Sequence, residues 1–213
     1  RTVLGEHVKQ AGSLVDPARL RFDFSHYEAV TPAEIRRIEQ MANSEVIANS
    51  QVSANEMSKQ AATDKGAIAF FGDKYGDVVR VLEAGSSLEL CGGTHVSATG
   101  DIGPIKIVSE GSIGSNLRRV EAVTGENAIR YLLDLTDTLA NAADVLGTKP
   151  DDLVAAAQRS IDNAKALGDE IKKLRAAQTL SQAGDFAAKA VNGVVVARVD
   201  GLAPADLRDL AIA

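Results

Sequence analysis

One cysteine and one histidine stand four positions apart in Cys91-Gly92-Gly93-Thr94-His95, and the cysteine is the only one in the chain. A thiolate and an imidazole are both good zinc ligands, and the intervening glycines let the backbone turn tightly enough to aim them at one point. Two donors make half a site. Zinc takes four ligands when structural, or three protein ligands plus water when catalytic, so further donors must come from elsewhere. The competing reading makes Cys91 a small buried hydrophobe, the commoner fate of a lone cysteine. A single cysteine forms no internal disulfide, which points to a reducing cytoplasm.

Other polar residues invite chemistry less directly. Gln10 and Ser13 fall at the mouth of an expected strand, where a side chain either faces a substrate or is satisfied by solvent. Arg118 and Arg119 are adjacent, hence on opposite faces of a strand, so one can point to a pocket while the other is paired or solvated. Asp23 and His26 read as structural, and His7 has no histidine four residues away. The glycine-rich run Ser109-Glu110-Gly111-Ser112-Ile113-Gly114-Ser115-Asn116 lacks the lysine and the glycine spacing of nucleotide-binding loops and reads as a flexible connection.

The elements that must hold these residues follow from periodicity. Arg1 to Leu4 reads as the end of a helix, and Ser13 to Val15 and Leu20 to Phe24 as a hairpin turning at Asp16-Pro17. Thr31-Pro32-Ala33-Glu34 is a capping box opening a helix whose core stripe is Ile35, Ile38, Met41 or Ala42, and Val46. A strand at Gln51 to Ala54, a short helix at Ser58 to Lys65, and a turn near Ala69-Phe70-Phe71-Gly72 come next. Strands follow at Val78 to Leu82, Ser87 to Leu90, Ile105 to Val108 and Leu117 to Val123, and the second delivers Cys91. Beyond Asn127 the pattern is helical: Tyr131 to Leu146, stopped by Gly147, and a second helix begun at Pro150-Asp151-Asp152. Leu153, Ala157, Ser160, Ala164, Leu167, Ile171, Leu174 and Gln178 form a seam suited to an antiparallel helical hairpin. A strand at Val194 to Val199 and a helix from Ala203 end the reading.

These elements make an α+β chain, and 213 residues with 45% hydrophobic content are enough for one medium domain and a smaller part. No apolar run is long enough to span a bilayer, and the first residues lack signal-peptide order. The formal charge is −6, with 14 basic and 17 acidic residues up to position 130 and 9 and 12 after it. Neither part offers a broad electrostatic grip on nucleic acid.

Several dense motifs follow one another along the chain. Val3-Leu4-Gly5-Glu6-His7-Val8-Lys9-Gln10-Ala11-Gly12-Ser13-Leu14-Val15 and Arg21-Phe22-Asp23-Phe24-Ser25-His26 precede Cys91-Gly92-Gly93-Thr94-His95. Thr99-Gly100-Asp101-Ile102-Gly103 and Arg118-Arg119-Val120-Glu121-Ala122-Val123-Thr124-Gly125 follow it. Across nearly the whole chain these resemble the alanyl-tRNA synthetase family, in its editing region. The resemblance implies an editing domain over 1–125, of the second-additional-domain type shared by threonyl- and alanyl-tRNA synthetases. It further implies a helical linker or hairpin over 126–190, and over 191–213 a truncated α/β piece opening a carboxy-terminal domain for tRNA binding and dimerisation.

The same resemblance implies the chemistry. Cys91 and His95 would bind zinc together with a His-x-x-x-His pair that the family carries just before the first residue here. The chain is thus expected to be a fragment, with weak or no metal binding and no activity by itself. Gln10 and Arg118 would contact the substrate. The reaction implied is hydrolysis of serine or glycine wrongly esterified to tRNA(Ala), within a cytoplasmic enzyme that attaches alanine using ATP and magnesium in another domain. It stays open whether the metal activates water or orients the substrate's amino group. Two further readings remain: a non-catalytic module that positions tRNA or joins subunits, and a free-standing trans-editing protein.

Overall fold

Apolar residues alternate through Leu20-Arg21-Phe22-Asp23-Phe24, which demands a strand with one buried face. In the computed structural model, which describes residues 1–69, 76–196, 198, 199 and 208, strands β1 (Gln10–Val15) and β2 (Leu20–Ser25) form the expected antiparallel hairpin. Asp16 closes its turn by accepting the N–H groups of Ala18 at 2.7 Å and Arg19 at 3.0 Å. Ahead of β1, Arg1 to Leu4 make a turn closed by the Gly5 N–H on the Arg1 carbonyl at 2.7 Å, without continuing as regular helix.

Two more strands, here termed β6 (Ile105–Gly114) and β7 (Leu117–Thr124), complete a four-stranded antiparallel sheet in the order β1-β2-β7-β6. This corrects the expectation of a flexible glycine-rich loop, because Ser109 to Gly114 belong to β6. Gly111 pairs with Arg119 and Ser112 with Arg118, and register shifts near Ile107 and Gly114 absorb the irregularity. Pairing along a ten-residue ladder outweighs the low strand preference of glycine. Only Ser115-Asn116 remain as the turn, with Asn116 at φ 55°.

Helix α1 (Pro32–Ala48) begins on the capping box that the sequence announces. Thr31 Oγ1 accepts the Glu34 N–H at 3.3 Å, and Glu34 Oε2 accepts the Thr31 N–H at 2.8 Å. Ile35 and Ile38 pack against Val8, Phe24 and Val30, with Phe22 and Val120 of the sheet beside them. The helix also grips the β6 edge. Asn43 donates to the Ile105 carbonyl and accepts its N–H, both at 2.8 Å, while Glu39 accepts from Lys106 Nζ at 2.9 Å and the Ile107 N–H at 2.7 Å. An otherwise unpaired strand edge is thereby covered.

A second sheet carries the cysteine. Strands β3 (Val52–Ser58), β4 (Val78–Ala84) and β5 (Ser87–Leu90) pair antiparallel with β4 in the centre. Helix α2 (Lys59–Asp64), capped by Ser58 Oγ on the Ala61 N–H at 3.2 Å, places Ala62 against Val79, Val81 and Leu90. The expected turn residues Phe70-Phe71-Gly72 lie outside the described residues, as does the expected helix from Ala203 to Leu207.

The chain divides into two compact units, Arg1–Thr136 and Asp137–Ala213. Helix α3 (Gly125–Val145) starts earlier than Tyr131, from a glycine at φ 57°, and Gly147 follows its end at φ 61°. Pro150–Asp152 make one 3-10 turn that leads into α4 (Leu153–Ala187). On α4, Leu167, Ile171 and Leu174 are 59%, 51% and 63% exposed, so this part of the seam is not buried within the chain. The strand expected at Val194 is also corrected: Val194 makes an isolated bridge with Val191, and Val195 and Val196 have no regular structure. The Asn192-Gly193 turn, with both residues at positive φ, brings that bridge together but extends no ladder among the described residues.

Candidate functional site

Strand β5 ends at Leu90, paired with Val81, and releases Cys91 into the loop that carries His95. Both side chains gather around Gly93. A Cβ added there would lie 3.7 Å from Cys91 Sγ and 3.9 Å from His95 Nε2. Cys91 is half-buried and free of any disulfide, while His95 lies at the surface. Partial burial of the ring, followed by the positive charge of Arg80, holds the His95 pKa below the ordinary imidazole value. The neutral ring is the form that ligates metal.

Arg80, a residue that no motif singled out, organises this loop. Its Nη1 donates to the Cys91 carbonyl at 2.9 Å and the Gly93 carbonyl at 2.7 Å. The Arg80 carbonyl in turn accepts the Cys91 N–H at 3.2 Å. The signal available in the sequence was its place on the strand next to the one that delivers the cysteine.

Sulfur and nitrogen donors on one side of Gly93 suit zinc by their chemistry. They are two of the required ligands. Among the described residues no group of three or more His, Cys, Asp or Glu side chains is placed to hold a metal ion.

Gln10 and Arg118 stand on the other sheet. Gln10 pairs with Phe24, Phe24 with Arg118, and Arg118 with Ser112, so one row crosses all four strands. Partnered residues of neighbouring strands share a face, which puts Gln10 and Arg118 on the side of Phe24. Gln10 Nε2 donates to Ser13 Oγ at 3.1 Å. Arg118 is held side-on by Glu110, Nε to Oε1 at 2.6 Å and Nη2 to Oε2 at 2.7 Å. No hydrogen bond or ion pair among the described residues links this row to Cys91 or His95.

The remaining motif residues are structural. Asp23, 8% exposed, receives Arg119 Nε at 2.7 Å and Nη2 at 2.8 Å on the opposite face of the sheet. His26, 6% exposed, has its Nδ1 2.8 Å from His7 Nε2, and the His7 ring stacks on Tyr27. Thr99 is buried, with its hydroxyl donating to the Glu45 carbonyl at 2.6 Å and accepting the Ser50 N–H at 2.9 Å. Gly103, at φ 68°, passes so close to Gly125 that an added Cβ would lie 2.8 Å from its Cα.

Residues 79–121 match the family profile described as the threonyl and alanyl tRNA synthetase second additional domain. The chain is 49% identical over 213 residues to an alanine--tRNA ligase of Polynucleobacter asymbioticus, covering 98% of the chain and 24% of that protein. A relative of the same name from Desulfitobacterium hafniense is 56% identical over 155 residues, covering 72% and 18%. One from Xylella fastidiosa is 46% identical over 213 residues, covering 98% and 24%. The chain therefore spans about a quarter of the length of such full-length relatives. Matched from end to end at this identity, with the second-additional-domain profile centred on β4 to β7, the chain belongs to the alanyl-tRNA synthetase family and corresponds to one segment of it.

Proposed function

We propose that this segment edits: it hydrolyses serine or glycine wrongly joined to tRNA(Ala), inside a longer cytoplasmic enzyme that charges tRNA(Ala) with alanine using ATP and magnesium elsewhere. The observation that carries the proposal is the convergence of Cys91 and His95 on Gly93 within a sequence matched throughout to alanine-charging enzymes. The need is physical. A pocket for alanine cannot exclude glycine by size, and rejects an added hydroxyl poorly, so a second site must destroy the wrong product.

In this reading Cys91 and His95 would hold zinc together with further donors, which would supply Lewis acidity or an anchor for the substrate's amino group. Gln10, steadied by Ser13, orients the aminoacyl end. Arg118 spends two of its five N–H donors on Glu110 and directs the rest at the substrate. Water oxygen bonds to the ester carbonyl carbon, the bond to the ribose oxygen breaks, and that oxygen takes up a proton. Free amino acid and intact tRNA leave. An aminoacyl ester is already reactive, so placement and charge stabilisation are the main demands.

The editing domain takes residues 1–125. Residues 126–190 form a helical linker carrying α3 and α4, and 191–213 belong to a part that binds tRNA and pairs two subunits. The exposed Leu167, Ile171 and Leu174 favour a second role for the linker, as a surface that positions tRNA or joins subunits.

Release of serine from preformed seryl-tRNA by the full-length enzyme tests the proposal, with alanine attachment assayed in parallel. Cys91→Ala and Gln10→His are expected to slow release strongly and leave alanylation nearly intact. Equal release by all three proteins overturns the editing assignment, and a parallel fall in alanylation marks misfolding instead.

A further inference from the structure

We infer that Arg80 is the positioning residue of the Cys91–His95 loop: its guanidinium fixes the backbone that aims both donors, so metal affinity depends on a side chain that never touches the metal. This rests on the zinc reading given above.

The loop from Cys91 to Val96 has no regular secondary structure, and Gly92 and Gly93 have no side chains with which to brace it. Among the described residues no sheet ladder runs through it. Among the described residues its hydrogen bonds come from Arg80: the side chain caps the carbonyls of Cys91 and Gly93 at 2.9 and 2.7 Å, and the Arg80 carbonyl takes the Cys91 N–H at 3.2 Å. The next backbone anchor is Ser97, whose carbonyl accepts the Val52 N–H at 2.8 Å.

Arg80 is well placed for the task. It lies in the central strand of its sheet between Val79 and Val81, which are 5% and 3% exposed, so its backbone is fixed by the core. One cationic nitrogen shared by two carbonyls makes charge-assisted hydrogen bonds, stronger than neutral ones. Glycine loses the most backbone freedom on ordering, so Gly92-Gly93 would sample many conformations without that clamp. Only some of these bring Sγ and Nε2 together around Gly93. Partners that orient ligands from outside the metal's own contact sphere commonly set affinity by about 10- to 100-fold.

The test uses the full-length enzyme with Arg80→Met, which keeps the apolar stem and removes the donors, and Arg80→Lys, which restores a cation able to reach carbonyls. Cys91→Ala is the reference. Zinc affinity is read by chelator competition, the thiolate-to-cobalt absorption band reports ligand geometry after cobalt substitution, and thermal midpoints are taken on zinc-stripped protein. Arg80→Met is expected to weaken zinc by about tenfold or more and to shift or bleach the cobalt band. Arg80→Lys recovers most of both, and the stripped midpoints stay together. Wild-type zinc affinity in Arg80→Met, alongside loss in Cys91→Ala, overturns the inference. So does a loss that tracks a lower stripped midpoint and is not recovered by lysine. Unchanged zinc in Cys91→Ala instead removes the zinc reading on which the inference stands.

Discussion

Arg118 and Glu110 form a side-on pair on the face of the four-stranded sheet that carries Val120, with both side chains largely withdrawn from solvent at 14% and 9% exposure. The pair fixes the guanidinium plane, since two parallel N–H donors meet two carboxylate oxygens. Any role of Arg118 in the proposed substrate contact is therefore inseparable from the stability of the sheet. Arg118→Ala leaves Glu110 buried without a partner and is expected to cost about 3 kcal/mol, read by urea unfolding. The double change Arg118→Met with Glu110→Leu should recover most of that loss. Full stability in Arg118→Ala alone would show that the pair carries no such burden.

On the opposite face the Asp23 carboxylate makes the corresponding bond with Arg119. Those hydrogen bonds hold the Asp23 pKa below the ordinary carboxylate value, against the opposing effect of burial. A lowered folded-state pKa means the stabilisation is complete above the unfolded value, about pH 4, and is lost as pH falls through the lower folded value. Asp23→Asn is expected to reduce stability at neutral pH and to flatten the acid limb below about pH 4. An acid limb identical to that of the parent, followed by circular dichroism, would contradict this assignment.

Gly103 of the Thr99-to-Gly103 motif and Gly111 of the glycine-rich run differ in what they do. Gly103 combines φ 68° with a Cβ position 2.8 Å from the Gly125 Cα, whereas Gly111 has nothing within 4 Å of its would-be Cβ. Gly103→Ala is expected to cost about 1–3 kcal/mol from strain, while Gly111→Ala stays within about 0.5 kcal/mol. Thermal midpoints measured side by side decide it. A large loss at Gly111 would restore the picture of a loop that needs glycine for mobility.

Those glycines also show where sequence reading worked. The capping box at Thr31, the Asp16-Pro17 hairpin and the delivery of Cys91 by a strand were legible because each depends on local chemistry or a two-residue period. The Gly111 region was misread because its conformation is set by β7, a partner that local propensity does not contain. Val194 differs in the opposite sense: Val194-Val195-Val196 has strong strand preference, yet among the described residues it makes no pairing beyond a bridge to Val191. At the candidate site, the closeness of Cys91 and His95 was legible from their spacing across two glycines. Arg80 did not, because a carbonyl-capping arginine has no signature until β4 and β5 are known to be neighbours.

Thr99 provides the sharpest separation of structure from chemistry among the motifs. Its hydroxyl donates to the Glu45 carbonyl and accepts the Ser50 N–H, and its own N–H reaches the Ser50 carbonyl at 2.9 Å, which ties the end of α1 to the segment after the Cys91 loop. Thr99→Val keeps the shape but leaves the Ser50 N–H without this acceptor and Glu45 without this donor. The cost expected for such buried groups is about 1–3 kcal/mol, lowering the thermal midpoint by several degrees for a chain of this size. Thr99→Ser, which keeps the hydroxyl, should recover most of it. Because Thr99 touches neither Cys91 nor His95 through its side chain, serine release per folded full-length molecule should stay at the parent value in Thr99→Val. Measured below its unfolding transition, a strong fall in that rate without a fall in midpoint would move Thr99 from the scaffold into the reaction.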